Sequence, residues 1–398
     1  MSHRLRIALA VLALVMFGAR AAAGQQTGGD SMQAHVSGWS VTPAIVFAGN
    51  WDDNVLMHVD ADTTRGDYLS VVNPRGTLEY NGRRQQFSLY YDGAFLLYRD
   101  LGTLNSYDQH AFLSQQWRLS RRVSLFVRDT AAVVPTTDAI EFVGVPFLRV
   151  GTKVNELRGG AEVVLTKRTG MTVGYTSTWI AFDDKNAAFQ LLQGGHAHGA
   201  IAALKHQLGS RLFAVANYDF QHATVTDTGD PFDVSNAIAA LEYRLTDLTT
   251  ISGGAGISHL TIPTLGLAKT GPALQAGLTR QFRKAGLDVA YRRSFLPSYG
   301  IGGTMQNEEV VSHGRLPLNR RVYLQASLAW RRTDALFGEQ PKLNSWWYAG
   351  GIGYGLTPWM RLEGVYNGSR QTIDRPGGML HRNQIGFQVV MAQPVRIH

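Results

Sequence analysis

Short basic turns and long polar loops alternate along this chain, and that alternation leaves few folds open. Tight turns occur as "NGRR" (81–84), "LSRR" (119–122), "TKRTG" (166–170), "QLGSR" (207–211), "LTDLT" (245–249), "RKAG" (283–286), "PLNRR" (317–321) and "LTPW" (356–359). Segments rich in Asp, Asn, Gly and Pro fall between them, at 49–66, 99–106, 135–151, 183–190, 222–233, 262–270, 297–307, 333–344 and 369–379. Each interval holds a run with a period of two. Phe87, Leu89, Tyr91, Gly93, Phe95 and Leu97 alternate with Ser88, Tyr90, Asp92, Ala94, Leu96 and Tyr98. A strand turns successive side chains to opposite faces, so such a run has one apolar face and one mixed face. The Asn-Gly pair at 81–82 suits the tight turn of a hairpin.

Hydropathy alone hides this pattern. The chain has 398 residues and a mean hydropathy of −0.11. Its single long apolar run, 7–19, follows Arg4 and Arg6 and precedes the small-residue stretch "ARAAAG". A basic start, a short apolar core and an Ala-x-Ala step make a secretory leader, and the run is short for a spanning helix. Loss of Arg4, Arg6 and Arg20 with the leader lowers the formal charge from +8 to +5. The remaining basic residues are scattered, which argues against a nucleic-acid partner. The chain has no cysteine, so disulfides and thiol chemistry are excluded.

An exported chain of hairpins is a soluble sandwich or a membrane barrel, and periodicity alone does not separate them. Two further features favour the barrel. One end has tight turns and the other long loops, as outer-membrane barrels show at their periplasmic and external ends. Trp39, Trp117, Trp179, Trp330, Trp347 and Trp359 recur near strand ends, where an interfacial girdle sits. The expectation is an all-β, transmembrane, antiparallel up-and-down barrel of about 18 strands, with 16 as the alternative. Residues 1–24 are the expected signal peptide, 25–37 a periplasmic N-terminal segment and 38–398 the outer-membrane barrel. Asp62, Asp184, Asp227 and Asn307 are expected outside the cell, and Gly82 and Lys284 in the periplasm. Pro74 interrupts the second strand's pattern, so that strand is expected to start near Arg75 or to bulge there.

Two stretches carry resemblances. "QIGFQVVM" (384–391) is similar to the final strand that barrel-assembly machinery recognises, although the chain continues past it with "AQPVRIH". "VTPAIVFAGNWDDNVLM", "NPRGTLEY" and "LYYDGAFLLYRDLGTLNSYDQHAFLSQQWRLSRRVSLFVRDTAA", all within 38–134, resemble the β-barrel porin-2 type. These outer-membrane barrels are often found with exopolysaccharide secretion systems. The resemblance implies an outer-membrane barrel and a conduit or accessory in polysaccharide export, and it transfers no functional residues.

Local spacing offers little chemistry. His196 and His198 share a strand face, but no third metal ligand stands at suitable spacing, so a plain lumen or loop pair is expected. "WDDN" (51–54) lacks the spacing of a calcium loop and reads as a strand-end turn. The Gly-rich "GGAG" and "GIGYG" lack the helix and Lys-Ser/Thr of a phosphate loop. No catalytic, cofactor or metal residues are expected, and no enzyme. The mixed face is the better candidate. Its lumen-lining residues are Arg75, Glu79, Asp92, Arg128, Glu156, Arg158, Glu162, Asp219, Glu242, Arg244, Asp288, Arg292, Arg331, Arg361, Glu363 and Arg382. Their signs are nearly balanced, which suits cross-strand bracing or a charged constriction. The function expected is a porin-like conduit for hydrophilic solute or exported polysaccharide. The alternative is a non-conducting barrel that binds a partner through its external loops. Partners implied are outer-membrane lipid and lipopolysaccharide, the barrel-assembly machinery and components of polysaccharide export.

Overall fold

The computed structural model describes residues 38–397 apart from 60–62, 141, 143, 184–191, 226–229, 283–284, 301–303, 338–340 and 375–377. The leader and the segment 25–37 lie outside the described residues, as do Asp62, Asp184, Asp227 and Lys284. Eighteen long strands follow one another: β1 (Gly38–Asp52), β2 (Asp67–Asn81), β3 (Gln85–Tyr98), β4 (Ser106–Arg118), β5 (Val123–Val134), β6 (Thr152–Val164), β7 (Thr169–Phe182), β8 (Gly195–Gln207), β9 (Leu212–Val225), β10 (Phe232–Thr246), β11 (Thr249–Ile262), β12 (Leu267–Gln281), β13 (Gly286–Pro297), β14 (Thr304–Pro317), β15 (Val322–Ala335), β16 (Leu343–Gly355), β17 (Met360–Ile373) and β18 (Gly378–Ala392). Each pairs antiparallel with the next, and β18 returns to β1, from Gln384 opposite Asp52 to Ala392 opposite Ala44. A last short strand, β19 (Val395–Ile397), resumes on β1 beside Trp39–Val41, so the chain past "QIGFQVVM" extends the ladder.

Closure gives every strand a partner on both sides, and closure is what permits backbone polar groups inside a bilayer. The tight turns gather at the end that also holds the start of β1. There Gly82 N–H donates to the Gln85 carbonyl at 2.8 Å and Phe282 N–H to the Ala285 carbonyl at 2.7 Å. The long loops gather at the other end. In the outer-membrane arrangement the tight-turn end is periplasmic. A cysteine at Leu265, exposed in the short β11–β12 connection at the long-loop end, is therefore expected to react with an impermeant maleimide on intact cells, and one at Gly82 is not. The reverse pattern would invert the orientation.

Three details differ from expectation. β2 runs straight through Pro74, which sits opposite Ile45 on β1 without a register change. The rungs from β2 to β3 skip Asn73 and Pro74 and resume in the same register at Arg75, so proline removes a ladder bond without ending or bulging the strand. Asn307 is no external-loop residue. It is the fourth residue of β14, fully buried, opposite Ser294 and Thr333. Trp347 joins no girdle, because it turns inward and packs edge-on to Phe147 at 5.0 Å.

The outward face is apolar and open. Phe47, Leu89, Phe95, Ile257, Leu328, Ile352, Ile385 and Phe387 stand exposed, Phe387 at 79%. Trp39 with Tyr80 marks the tight-turn rim, and Trp51 with Tyr68 and Trp330 with Trp346 mark the loop rim. An apolar belt between aromatic girdles is the lipid-facing surface of an outer-membrane barrel.

Candidate functional site

The inward face is the chemically distinctive one. The ladder rungs put all sixteen candidate residues on one face, opposite the apolar belt. Arg75 stands opposite Asp92, Arg128 opposite Arg158, and Arg292 opposite Glu309, which is itself opposite Arg331. Many of these charges are tied into the wall. Arg75 bonds Asp92 at 3.0 Å, and Asp92 also accepts from Asn73 and Tyr90. Arg331 meets Glu309 at 3.0 Å, and Asp219 accepts from Asn236 at 2.8 Å while Arg292 stands 3.5 Å away. Arg361 pairs with Glu363, which also accepts from Tyr323 and Gln388. Arg244 lies over Phe213, Glu162 accepts from Gln116, and Glu79 accepts weakly from Ser40. Asp288 faces His313 and Thr279.

Spacing along one strand gives the Arg361–Glu363 pair but not the others. Glu242 takes Lys205, at 2.8 Å, rather than Arg244 two residues on. Glu156 and Arg158 form no ion pair. Lys205 lies two strands away on β8 and reaches Glu242 over Phe213 of β9, so register across the wall, not spacing along one strand, sets the partner. Lys205, Glu309 and Tyr323 were missed for this reason, since no local spacing reveals a register.

The long connection 135–151 enters the ring and forms a strap. Its Asp138 meets Arg382 of β18 at 3.0 Å and accepts from Ser369 of β17 at 2.9 Å, while its carbonyl accepts from the Trp347 indole. Arg382 also holds Asp52 of β1 at 2.6 Å. Gln371, 1% exposed, accepts from Phe147 N–H and donates to the Val145 carbonyl. Arg149 donates to the carbonyls of Val55 and Leu104 and to the Tyr98 hydroxyl. Burial alone would raise the Asp138 carboxyl, but the adjacent Arg382 and hydrogen bonds from Thr136 and Ser369 hold it below the usual carboxylate range. "WDDN" is thus an anchor. Asp52 holds Arg382, Asp53 accepts from Asn383, and Asn54 ties His58 and His381.

His196 and His198 depart from expectation, because both face outward. His198 stands opposite His222 and shares a hydrogen bond with Tyr175, while His222 meets Asp233 at 2.7 Å. Among the described residues no three His, Asp or Glu side chains are grouped to hold a metal.

At mid-height below the strap, Arg128 and Arg158 form a like-charged pair. They stand opposite each other on β5 and β6, and among the described residues neither has an ion-pair partner. Arg128 rests on Phe126, and the buried Arg158 Nε has no hydrogen-bond partner. Arg292 and Asp219, on distant strands β13 and β9, lie within electrostatic reach of Arg158. Like charges directly opposite destabilise a ladder, so this pair is not there to brace the wall.

No family model and no curated protein matches this chain. Among solved structures the chain is similar in architecture to the outer membrane protein opdK from Pseudomonas aeruginosa, with 9% identity over 89% of this chain and 99% of that one and a TM-score of 0.45. It is similar also to OccAB4 from Acinetobacter baumannii, with 7% identity, 90% and 99% coverage and a TM-score of 0.47. The FrpB iron transporter from Neisseria meningitidis matches at 10% identity over 85% of this chain and 62% of that one, with a TM-score of 0.42. These likenesses are of architecture and decide nothing about cargo. The molecule itself, closed, belted with apolar residues and rimmed with aromatics, is an 18-stranded outer-membrane β-barrel.

Proposed function

We propose that this barrel is a porin-like conduit for small hydrophilic solutes that pass beside the strap, with a preference for solutes carrying an anionic group. The observation that carries the reading is the Arg128 and Arg158 couple, two arginines directly opposite each other at mid-height with no ion-pair partner among the described residues. A barrel of about 18 strands leaves an aqueous interior, and unpaired cations on its wall sort what crosses it. The nearby Glu162 and Asp219 temper the preference without cancelling it at the pair itself. No observation favours a polymer route, and the strap narrows the lumen such a route would need.

In planar bilayers the protein is expected to give discrete current steps with a reversal potential on the anion side in a potassium chloride gradient. Arg158→Glu is expected to move that potential toward the cation side. Arg361→Glu is expected to move it less, because Arg361 is held by Glu363 near the tight-turn end. An unchanged potential in Arg158→Glu would remove the arginine pair from the pathway. Persistent absence of current, including after removal of residues 136–150, would favour a non-conducting barrel that binds partners through its loops.

A further inference from the structure

The wall is unzipped along one seam. β12 and β13 pair only from Gln281 opposite Gly286 to Leu274 opposite Arg293. Beyond that point β12 runs on to Leu267 with β11 alone, and β13 runs on to Pro297 with β14 alone. Above Arg293, β13 leaves the wall and lies against β10 and β11 from inside. Phe295 N–H donates to Ser258 Oγ at 3.2 Å, and the Phe295 carbonyl accepts from Asn236 Nδ2 at 3.3 Å. The Phe295 ring covers Gly271, where an added Cβ would come within 2.5 Å of it, and joins a core with Phe232, Val234, Leu260 and Leu336. Lys269 Nζ donates to the Leu336 carbonyl at 2.9 Å, drawing the top of β15 along. The resulting crest, residues 294–300, meets the strap. Tyr299 packs edge-on to Phe142 at 5.8 Å, and Gly144, at φ +71°, lies where a Cβ would strike Ser298.

Two prolines explain why the seam stays open. Gln281 N–H points to Leu248 beside β11, and Phe282 N–H points to Ala285 at the start of β13. Hydrogen bonding alternates along a strand, so the even-numbered residues of β12 and the odd-numbered residues of β13 address each other. Continuing the register past Leu274 and Arg293 would set Pro272 opposite Phe295 and Thr270 opposite Pro297. Both prolines thus fall on bonding rungs, and neither has an N–H to give. The missing ladder would lack a donor at two successive bonding rungs, while the Phe295 ring and backbone are satisfied inside.

We propose that this proline-held crest, packed against the strap, is the size-determining wall of the passage. The proposal rests on the conduit reading above, and the test keeps the two apart.

The variant Pro272→Val with Pro297→Val restores both donors. A cysteine pair, Lys269→Cys with Ser298→Cys, reports closure, because these positions become directly opposed only when the seam zips. In the native background the pair is expected to stay reduced under mild oxidant, and in the proline-free background to cross-link. Conductance and the size cut-off for sugars in liposome swelling are expected to rise, conductance on the order of twofold as the crest vacates the lumen. Should the proline-free chain not fold, Phe295→Gly loosens the same crest and is expected to raise the cut-off. Cross-linking equal in both backgrounds would overturn the role of the prolines. Current with the same size cut-off in the native, proline-free and Phe295→Gly proteins would overturn the crest as the size determinant and leave the conduit reading standing. No current from any of them would overturn the conduit reading, and the crest proposal with it.

Discussion

Replacing Arg382 by alanine is expected to release the strap from the wall. Arg382 is the only cation that meets both Asp52 and Asp138 among the described residues, at 2.6 and 3.0 Å, and all three side chains are nearly inaccessible. Removing it leaves two buried carboxylates without their counter-charge, a change that costs about 3–5 kcal/mol when one partner of a buried pair is lost. The barrel does not depend on the strap for closure, since β18 and β1 pair over their own rungs. The loss is therefore expected to appear as strap mobility, with faster proteolysis within 136–150 and noisier, larger current steps, and with strand content unchanged. Arg382→Lys keeps the charge but loses the fork that reaches both acids, and is expected to fall between. A strap equally protected in Arg382→Ala would mean that Gln371, Arg149 and the apolar contacts of Phe147 suffice. The acid behaviour has a definite sign. The Asp138 carboxyl is held below its usual range, so its contribution is fully present above the unfolded value of 3.8 and is lost as pH falls through the lower folded value. Strap release by acid is accordingly expected only below the ordinary carboxylate range, and release between pH 5 and 7 would point to another group.

A charge on the outward face should be the other large effect. Leu328 lies mid-way along β15, faces outward and is exposed, while the adjacent Ser327 faces inward opposite His313 and Ala349. Leu328→Arg places a guanidinium at mid-depth in lipid, which costs about 2–4 kcal/mol, while Ser327→Arg places it in the aqueous lumen. Folding yield into liposomes is expected to fall for the first and to hold for the second. Leu324 is a weaker probe, because it is only the third residue of β15 and lies near the tight-turn rim, where the penalty shrinks. Equal yields for Leu328→Arg and Ser327→Arg would contradict the assignment of lipid and lumen faces.

The contrast between Glu242 and Asp92 shows what could be read beforehand. That Asp92 turns away from Phe87, Leu89 and Phe95 follows from alternation within one strand, which is a local property of the backbone. Strand number, tight-turn end and the inward face were legible for the same reason, because turn chemistry and period two are written residue by residue. The choice of Lys205 by Glu242, of Glu309 by Arg331 and of Asp52 and Asp138 by Arg382 was not legible. Those pairs join positions 22 to 330 residues apart, and a register or loop path that brings them together is a sum over the whole closed ring. The prolines divide the same way. Pro74, Pro272 and Pro297 each announce a missing donor in the sequence. Only the ring shows that the donor lost at Pro74 leaves the wall intact, while those lost at Pro272 and Pro297 fall on the same unformed ladder and let a hairpin fold inward. What the sequence by itself determined is therefore the barrel and the sidedness of its wall, set by local geometry. What the tertiary structure decided is how the lumen is divided, because strap, crest and latch exist only where distant strands meet.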